Sequence, residues 1–265
     1  KANRDIVRYG YKASTIPGTV SGLLLAHAQF GKLPLDEVMK PAIDQAMNGI
    51  TVSFDLEQAI ASAPQLSWDD ESRGIYFNDG KPFQEGSVMQ RPDLAKTMTL
   101  ISENGSEGFY GGEVAKKIVA SMSNNDGNIT IEDLQKYKAR FSQPIGVNYR
   151  GSKVYTHGPP SGGGIVLLTA LKVLEYFDLG QIGNNSALTY HLLAESLRRG
   201  HNNRSHHVGD PSFYNVPYDD LMSDDRIREF AKSVSLKKAS SAKEIKPLEI
   251  IQESKNTTHY SIVDE

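Results

Sequence analysis

The run of glycine, proline and serine at residues 158–164 constrains the fold more than any other segment of this sequence. Proline fixes its own φ angle and lacks an N–H, while glycine permits tight turns and close backbone contacts. Apolar residues 165–177 follow at once, so we expect a sharp turn that opens a buried helix. Free N–H groups at a helix start can bind an anion. The run lacks the Lys-Ser/Thr pair of a P-loop and the GxGxxG spacing, so a close backbone approach is favoured over nucleotide binding.

Helical periodicity and capping residues predict a helix-rich α+β chain with few strands. The predicted helices are residues 20–30, 35–47, 55–62, 93–103, 113–122, a segment capped by Thr130, 165–177, 186–199 and 223–234. The predicted extended segments are residues 74–77 and 80–83, a hairpin at 145–149 and 153–156, and a last strand at 257–263. In the 186–199 helix we expect Leu188, Leu192, Leu193 and Leu197 to be buried.

Composition excludes several classes of function. The length of 265 residues predicts one large domain or two small ones. The chain has 29 Lys and Arg against 32 Asp and Glu, so it lacks the basic excess of a nucleic-acid-binding protein. Its longest apolar run is far shorter than the roughly 20 residues of a membrane-spanning helix. Cysteine is absent, which excludes disulfides, thiolate metal sites and a cysteine nucleophile.

Two polar segments invite a metal-site interpretation, and we expect neither to bind metal. Residues 124–129 imitate a calcium loop, but Met122 falls where a carboxylate ligand is required. His201, His206 and His207 do not have the spacing of zinc ligands. A turn with a helix cap explains the first segment, and a solvated surface or loop–helix junction explains the second.

The segment Asn256-Thr257-Thr258-His259-Tyr260-Ser261 resembles the self-cleavage and nucleophile motif of the γ-glutamyltranspeptidase family. Six further segments resemble other motifs of that family and occur in the same order. They are Ile16-Pro17-Gly18-Thr19-Val20, Glu103-Asn104-Gly105 with Phe109-Tyr110, Asp133-Leu134 with Tyr137, Tyr149-Arg150-Gly151, Pro159-Pro160-Ser161-Gly162-Gly163 and Gly209-Asp210-Pro211. The resemblance covers nearly the whole chain. Each motif alone is weak, but the ordered set is specific.

The resemblance implies self-cleavage and a threonine nucleophile. In such precursors the Thr257 hydroxyl attacks the carbonyl of Asn256 and an ester forms, which water opens. A threonine hydroxyl needs a base. The α-amine freed on Thr257, with a reference pKa of roughly 7.7–8.0, can accept that proton. The mature enzyme would then attack a γ-glutamyl amide such as glutathione and pass the γ-glutamyl group to water, an amino acid or a peptide.

A substrate-binding residue is also implied near the first residue of the chain. Ala2-Asn3-Arg4-Asp5 resembles the family segment whose arginine binds the substrate α-carboxylate, a group that the planar guanidinium fork matches. Three departures from the family pattern stand out. Gly162 stands where many members have Ser, a change that the backbone geometry tolerates. Fewer residues than usual separate Arg4 from Ile16, and Asn202-Asn203 precede Arg204 where the family commonly has a small residue and Asp.

The implied fold is the four-layer αββα sandwich of N-terminal-nucleophile hydrolases. Residues 1–256 would be the large-subunit region, and residues 257–265 the incomplete first strand of the small-subunit region. The implied partners are a small γ-glutamyl substrate and the small-subunit portion of the same precursor, with no nucleic acid and no membrane span. The chemistry needs no metal or organic cofactor, and bacterial relatives imply a periplasmic or secreted location.

Three other hypotheses remain open from sequence. A cephalosporin acylase or a poly-γ-glutamate depolymerase of the same superfamily would share the N-terminal threonine and differ in pocket residues. A non-catalytic relative with a binding or structural role would fit the altered Asn202-Asn203-Arg204 segment. A phosphate-binding α/β protein would use the backbone of residues 162–164.

Overall fold

The computed structural model describes residues 8–249 of the chain. The chain divides into two compact units, Lys1–Phe141 and Ser142–Glu265, and each has a hydrophobic core of its own. The predicted boundary between residues 256 and 257 and the predicted strand at 257–263 lie outside the described residues.

The first unit is mainly helical. Its helices are α1 (Thr19–Phe30), α2 (Leu35–Asn48), α3 (Phe54–Ala61), α4 (Asp70–Tyr76), α5 (Pro92–Asn104), α6 (Glu107–Tyr110), α7 (Gly112–Asn124) and α8 (Ile131–Lys136). Its strands are β1 (Ile50–Thr51), β2 (Phe77–Asn78), β3 (Lys81–Pro82) and β4 (Val88–Met89). The antiparallel pairs are β1 with β4 and β2 with β3.

The core of the first unit lies around α6, α7 and α8. Its buried members are Tyr110, Ala115, Met122, Ile129 and Leu134. The start of α8 has the capping box that the sequence predicts: the Thr130 hydroxyl accepts a hydrogen bond from the Asp133 N–H, and the Asp133 carboxylate accepts one from the Thr130 N–H. The turn and helix cap predicted for residues 124–130 are therefore confirmed.

The second unit places a hairpin before its helices. Its elements are β5 (Ile145–Tyr149), β6 (Ser152–Thr156), α9 (Gly162–Leu174), α10 (Leu179–Ile182), α11 (Ala187–His207), α12 (Tyr218–Leu221) and α13 (Asp224–Lys232). In the hairpin Ile145 pairs with Thr156 and Tyr149 pairs with Ser152. Arg150 and Gly151 both have positive φ, as a two-residue hairpin turn requires, so the predicted hairpin is confirmed.

Helices α9 and α11 pack closely in the second unit. A Cβ atom on Gly200 would lie 2.6 Å from the Val166 carbonyl oxygen, so only glycine permits this approach of the two backbones. Val173 contributes to a core that also contains Ile227, Phe230 and Ala231 of α13. Gly200 lies in the interior of α11, where it permits this contact with Val166 and the helix continues past it.

Four details of the sequence-based prediction are wrong. Helix α9 is Gly162–Leu174 and not residues 165–177, because the glycines form its first turn. Residues 74–76 are helical, because the Asp69 carboxylate caps α4 by accepting a hydrogen bond from the Ser72 N–H. Helix α11 continues to His207 instead of ending near Arg199. Leu193 and Leu197 are exposed, by 42% and 36%, since the buried face of α11 carries polar side chains over its second half.

The described residues confirm a helix-rich chain whose few strands are short. A helix with the length and apolar character of a membrane span does not occur between residues 8 and 249.

Candidate functional site

The residues that the resemblance assigns to catalysis and binding, Thr257, Asn256 and Arg4, all lie outside the described residues. The structure instead describes the segments that lead toward them within each unit. These are residues 9–21 in the first unit and residues 240–246 in the second.

A buried tyrosine connects two of the predicted motifs in the first unit. The Tyr110 hydroxyl donates a hydrogen bond to the Pro17 carbonyl oxygen over 2.5 Å and accepts one from the Ser21 N–H over 3.1 Å. Burial raises the pKa of Tyr110 above its ordinary value, although the hydrogen bond from Ser21 acts in the opposite direction. The phenol therefore stays neutral and fixes the backbone at the start of α1.

The motif that contains Tyr137 also contacts Tyr110 and the start of α1. Tyr137 stacks on Tyr110 with ring centroids 5.9 Å apart, and its hydroxyl fills the space beside Gly18, where a Cβ atom would lie 2.2 Å from that oxygen. The Ala139 N–H donates to the Ser21 hydroxyl over 2.9 Å. Residues distant in sequence thus meet at one point, which explains why glycine stands at position 18.

The first unit has an open groove of about 1740 Å³. Among the residues that line it, residues 9–11 are the nearest in sequence to Arg4. Tyr9 and Trp68, which both line it, meet edge to face with ring centroids 5.4 Å apart. The Tyr11 hydroxyl donates to the Asp69 carboxylate over 3.5 Å and accepts from the Ser121 hydroxyl over 3.2 Å. Hydrogen bonds from Ser72 and Tyr11 keep the pKa of Asp69 below its ordinary value. The lining of the groove therefore includes an aromatic pair and the carboxylate of Asp69, besides charged side chains of both signs.

The glycine-rich run of the second unit forms a close backbone approach, as the sequence favours. A Cβ atom on Gly164 would lie 2.0 Å from the His157 carbonyl oxygen. A Cβ atom on Gly162 would lie 2.7 Å from the Arg204 side chain. The Pro159–Pro160 peptide bond is cis. Close packing therefore accounts for Gly162 and Gly164, whereas a Cβ atom on Gly163 would meet only the Ser161 hydroxyl at 3.8 Å, an ordinary contact.

The three histidines of α11 differ in environment. His201 is exposed, whereas His207 is buried at the last residue of α11, at the junction of helix and loop that the sequence predicts as one alternative. Burial lowers the pKa of the His207 imidazole below its ordinary value, and the nearby His206 and Arg226 lower it further. A cluster of three or more metal-ligating side chains does not occur among residues 8–249.

A buried ion pair lies on α11 near its middle. Glu195 Oε2 accepts a hydrogen bond from Arg199 Nη1 over 2.7 Å, and both side chains are almost fully buried. Burial acts to raise the pKa of Glu195, but hydrogen bonds from Ser240 and Arg199 outweigh it and bring the pKa below its usual value. The carboxylate therefore remains charged and joins α11 to Ser240.

The asparagine pair that departs from the family pattern makes two separate sets of contacts. Asn203 Nδ2 donates to Thr169 Oγ1 and to the Leu221 carbonyl oxygen, both over 3.3 Å. Asn202 Nδ2 donates to the Ile245 carbonyl oxygen over 2.9 Å. An aspartate at position 203 could accept from Thr169 but could not donate to Leu221, so the amide is suited to this packing.

Comparison with known proteins decides the family. The model of the gamma-glutamyltranspeptidase family matches residues 1–265. The chain belongs to the γ-glutamyltranspeptidase family. The match includes the segment around Asn256 and Thr257 as well as the motif residues that meet at Tyr110.

Curated relatives and solved structures agree with this assignment. The chain is 38% identical over 257 residues to a glutathione hydrolase proenzyme of Pseudomonas sp. strain A14, and the aligned residues cover 96% of this chain and 45% of that protein. It is 37% identical over 255 residues to the glutathione hydrolase proenzyme of Escherichia coli K12, covering 95% of this chain and 44% of that protein. The chain thus spans less than half the length of these relatives.

The structural similarity is extensive. The crystal structure of Helicobacter pylori gamma-glutamyltranspeptidase superimposes with a TM-score of 0.89 at 32% identity, over 95% of this chain and 73% of that chain. The γ-glutamyltranspeptidase of Pseudomonas nitroreducens complexed with L-DON gives a TM-score of 0.85 at 35% identity, over 92% of this chain and 73% of that chain. The described residues therefore have the fold of this family's corresponding region.

Sequence reasoning missed the polar residues that organise the second unit. Glu195 and Arg199 have the i,i+4 spacing of a helical ion pair, a signal that could have found them. The leucines at helical spacing and the polar residues after Arg199 instead favoured a shorter helix with buried leucines.

Arg226 has Glu229 at i,i+3 and Phe230 at i,i+4, a local signal for helical neighbours. Its contacts with Asn202 and with the Lys246 carbonyl oxygen join residues distant in sequence and give no local signal.

Proposed function

We propose that this chain is the large-subunit region, with the first residues of the small-subunit region, of a precursor that cleaves itself and then hydrolyses or transfers γ-glutamyl groups. One observation carries this proposal: the family match extends through residue 265 and so includes the Asn256-Thr257 segment. The curated relatives named glutathione hydrolase proenzymes support glutathione as a substrate. The four-layer αββα sandwich is proposed for the complete protein on the same grounds.

Self-cleavage would begin with the Thr257 hydroxyl oxygen attacking the Asn256 carbonyl carbon. The Asn256–Thr257 C–N bond breaks, an ester to the threonine oxygen forms, and the hydroxyl proton passes to the new α-amine. Water then hydrolyses the ester and leaves a free Asn256 carboxylate and a free Thr257 hydroxyl. Cleavage thus activates the enzyme, because the amine is an amide nitrogen and cannot act as a base before it.

Turnover would use the same oxygen. The Thr257 α-amine accepts the hydroxyl proton while the oxygen attacks the γ-glutamyl carbonyl, and the leaving amine takes that proton. Water or an amino group then opens the γ-glutamyl ester. Arg4 is proposed to bind the substrate α-carboxylate through its planar guanidinium. The periplasmic or secreted location stays a prediction.

Gel electrophoresis and intact-mass measurement of the full-length gene product test the proposal. We expect two fragments that separate between Asn256 and Thr257, and turnover of a γ-glutamyl anilide. The Thr257→Ala variant should stay uncut and inactive, whereas Thr258→Ala is the matched control and should still be cleaved. An uncut wild-type chain without turnover would favour the non-catalytic alternative.

A second candidate has a specific observation in its favour. The chain is 35% identical over 209 residues to an acylase ACY 1 proenzyme of Pseudomonas sp. strain SE83. It also superimposes on the cephalosporin acylase of Bacillus halodurans with a TM-score of 0.79 at 28% identity. Comparing kcat/KM for glutathione with kcat/KM for a glutaryl-cephalosporin separates the two, and we expect glutathione to be preferred.

A further inference from the structure

We propose that one face of helix α1 is a docking surface for the part of the same precursor that lies outside these 265 residues. This α1 face consists of Leu23, Ala26 and Phe30 on the helix and of Leu33 and Phe141 beside it. The inference rests on one element of the proposed function, namely that the chain is a region of a longer precursor. It assigns a partner to a surface that contains none of the predicted site residues.

Helix α1 has the composition of a buried helix. Its 12 residues, Thr19–Phe30, include no Asp, Glu, Lys or Arg. The next helix, α2, carries four charged side chains, at Asp36, Glu37, Lys40 and Asp44. A helix without a charged face is normally enclosed by other parts of the protein, because burial removes its apolar surface from water. The structure describes every residue of α1, and none of these side chains is fully buried. The composition of this helix therefore does not match its surroundings.

The large apolar side chains of α1 that remain exposed share one face. Leu23, Ala26 and Phe30 follow each other at intervals of three and four residues, and such residues lie along one side of a helix. Leu23 is 66% exposed and Phe30 is 70% exposed. Leu24 and Leu25 are partly buried instead. The helix thus turns one part of its apolar surface toward its own unit and another part outward.

Two side chains outside α1 extend this face. The ring of Phe141, itself 62% exposed, meets the Phe30 ring edge to face with centroids 6.3 Å apart. Leu33 is 58% exposed, and its carbonyl oxygen accepts a hydrogen bond from His27 Nε2 over 2.9 Å, which holds this residue next to the end of α1. A patch that gathers several large exposed apolar side chains marks an interaction surface, whereas single ones are ordinary. The α1 face is such a patch.

The first unit fixes the direction in which the α1 face points. The Tyr110 hydroxyl binds the Pro17 carbonyl oxygen and the Ser21 N–H where α1 begins. The Val20 side chain packs against the buried cluster that contains Tyr110. A rotation of α1 that turned Leu23 inward would break these contacts. The apolar face is therefore held outward, and a partner must reach it there.

The rest of the precursor is the partner that best fits this face. The chain spans less than half the length of the curated relatives, so most of the polypeptide of such a precursor lies outside it. A tethered segment binds without the loss of translational freedom that a second copy would undergo. The side chains of the face are uncharged, so apolar residues can cover them without leaving a buried charge unpaired. An apolar surface of the same polypeptide is thus the expected occupant.

Thiol labelling of the full-length precursor tests whether the α1 face is covered. These 265 residues contain no cysteine, and peptide mass spectrometry assigns each label to its position. We expect Leu23→Cys to react at least about 100-fold more slowly than Glu37→Cys, because a covered thiol reacts only during local opening. Glu37 is the matched control, since it is also an exposed helical residue but carries a charge that favours water. Equal rates in the two variants would overturn the proposal. If Leu23→Cys does not fold, Ala26→Cys gives the same comparison.

Photo-crosslinking identifies what covers the face. Phe30→benzoylphenylalanine keeps an aromatic ring at this position and forms a covalent bond to a group that lies against it. We expect the joined peptide to have a sequence outside these 265 residues, in a product with the mass of one precursor. Glu37→benzoylphenylalanine is the control and should remain without such a bond. A joined peptide from within the 265 residues, or a product of twice the mass of the precursor, would contradict the assigned partner.

Self-cleavage is measured in the same samples and separates this proposal from the proposed function. A precursor that never cleaves, but in which position 23 is protected and position 30 is joined to the outside region, would overturn the proposed function and support the docking surface. A precursor that cleaves between Asn256 and Thr257 while position 23 reacts as fast as position 37 would overturn the docking surface alone.

Discussion

The carboxylate of Glu195 and the guanidinium of Arg199 lie one turn apart on α11, with Oε2 and Nη1 separated by 2.7 Å and side-chain exposures of 1% and 0%. Arg199 also donates through Nε to the Phe230 carbonyl oxygen over 2.9 Å and through Nη2 to the Ser233 hydroxyl over 2.8 Å. A charge so far from water is stable only because its partners are in place. The pair therefore connects α11, α13 and the segment at Ser240.

Removal of one partner of this pair should be strongly destabilising. Arg199→Ala leaves the Glu195 carboxylate buried and without its main cation, so we expect a loss of about 3–5 kcal/mol in the free energy of unfolding. Chemical denaturation measures it. Arg198→Ala is the control, because the Arg198 side chain is partly exposed and its Nε lies 3.6 Å from Glu195 Oε1. Similar losses in the two variants would contradict a special role for the buried pair.

His207 should make stability depend on pH. Its pKa lies below the ordinary value of 6.5, so the unfolded chain binds a proton more readily than the folded one. Stability is therefore retained above about pH 6.5 and lost as the pH falls below it, with a slope of at most about 1.4 kcal/mol per pH unit. Thermal unfolding at pH values between about 7.5 and 5.5 measures this loss.

The matched variants for this prediction are His207→Gln and His201→Gln. Glutamine does not titrate, so His207→Gln should flatten the dependence of Tm on pH in this range. His201 is exposed, and its replacement should leave the dependence as in wild type. A curve that is unchanged in His207→Gln would show that another group dominates.

The Tyr110 hydroxyl should be needed for the stability of the first unit. Tyr110→Phe leaves the Ser21 N–H and the Pro17 carbonyl without their shared partner, and we expect a loss of about 1–3 kcal/mol. Thermal unfolding measures it. Tyr155→Phe is the control, since that ring is 63% exposed on the hairpin and its change should have an effect within about 0.5 kcal/mol. A neutral Tyr110→Phe would mean that water replaces the hydroxyl.

Two helical glycines should respond in opposite directions to alanine. Gly200→Ala would place a Cβ atom 2.6 Å from the backbone oxygen of Val166 and push α9 from α11, which we expect to cost about 1–3 kcal/mol or more. Gly22→Ala on α1 meets no described atom within 4 Å and should stabilise the helix by about 0.5–1 kcal/mol. Tm values of the two variants check this, and a stabilising Gly200→Ala would disprove the close packing.

Local signals were sufficient for many elements. The Thr130–Asp133 capping box and the Arg150-Gly151 turn depend on residues within a few positions of one another, so the sequence predicts them correctly. The expected extended segment at residues 74–76 failed because the cap from Asp69 outweighs Gly74 as a helix breaker.

The family, the order of its motifs and the residues expected to react can be read from the amino-acid sequence, because those are properties of short segments. Which residues are buried on α11 depends on the folded chain. Helical periodicity favoured Leu193 and Leu197, but the burial of Glu195, Arg199 and Asn202 depends on partners 24 to 45 residues away. Those partners are mostly backbone atoms and hydroxyl groups, which are common along any chain and so give no local sequence signal. They come next to α11 only when the chain folds.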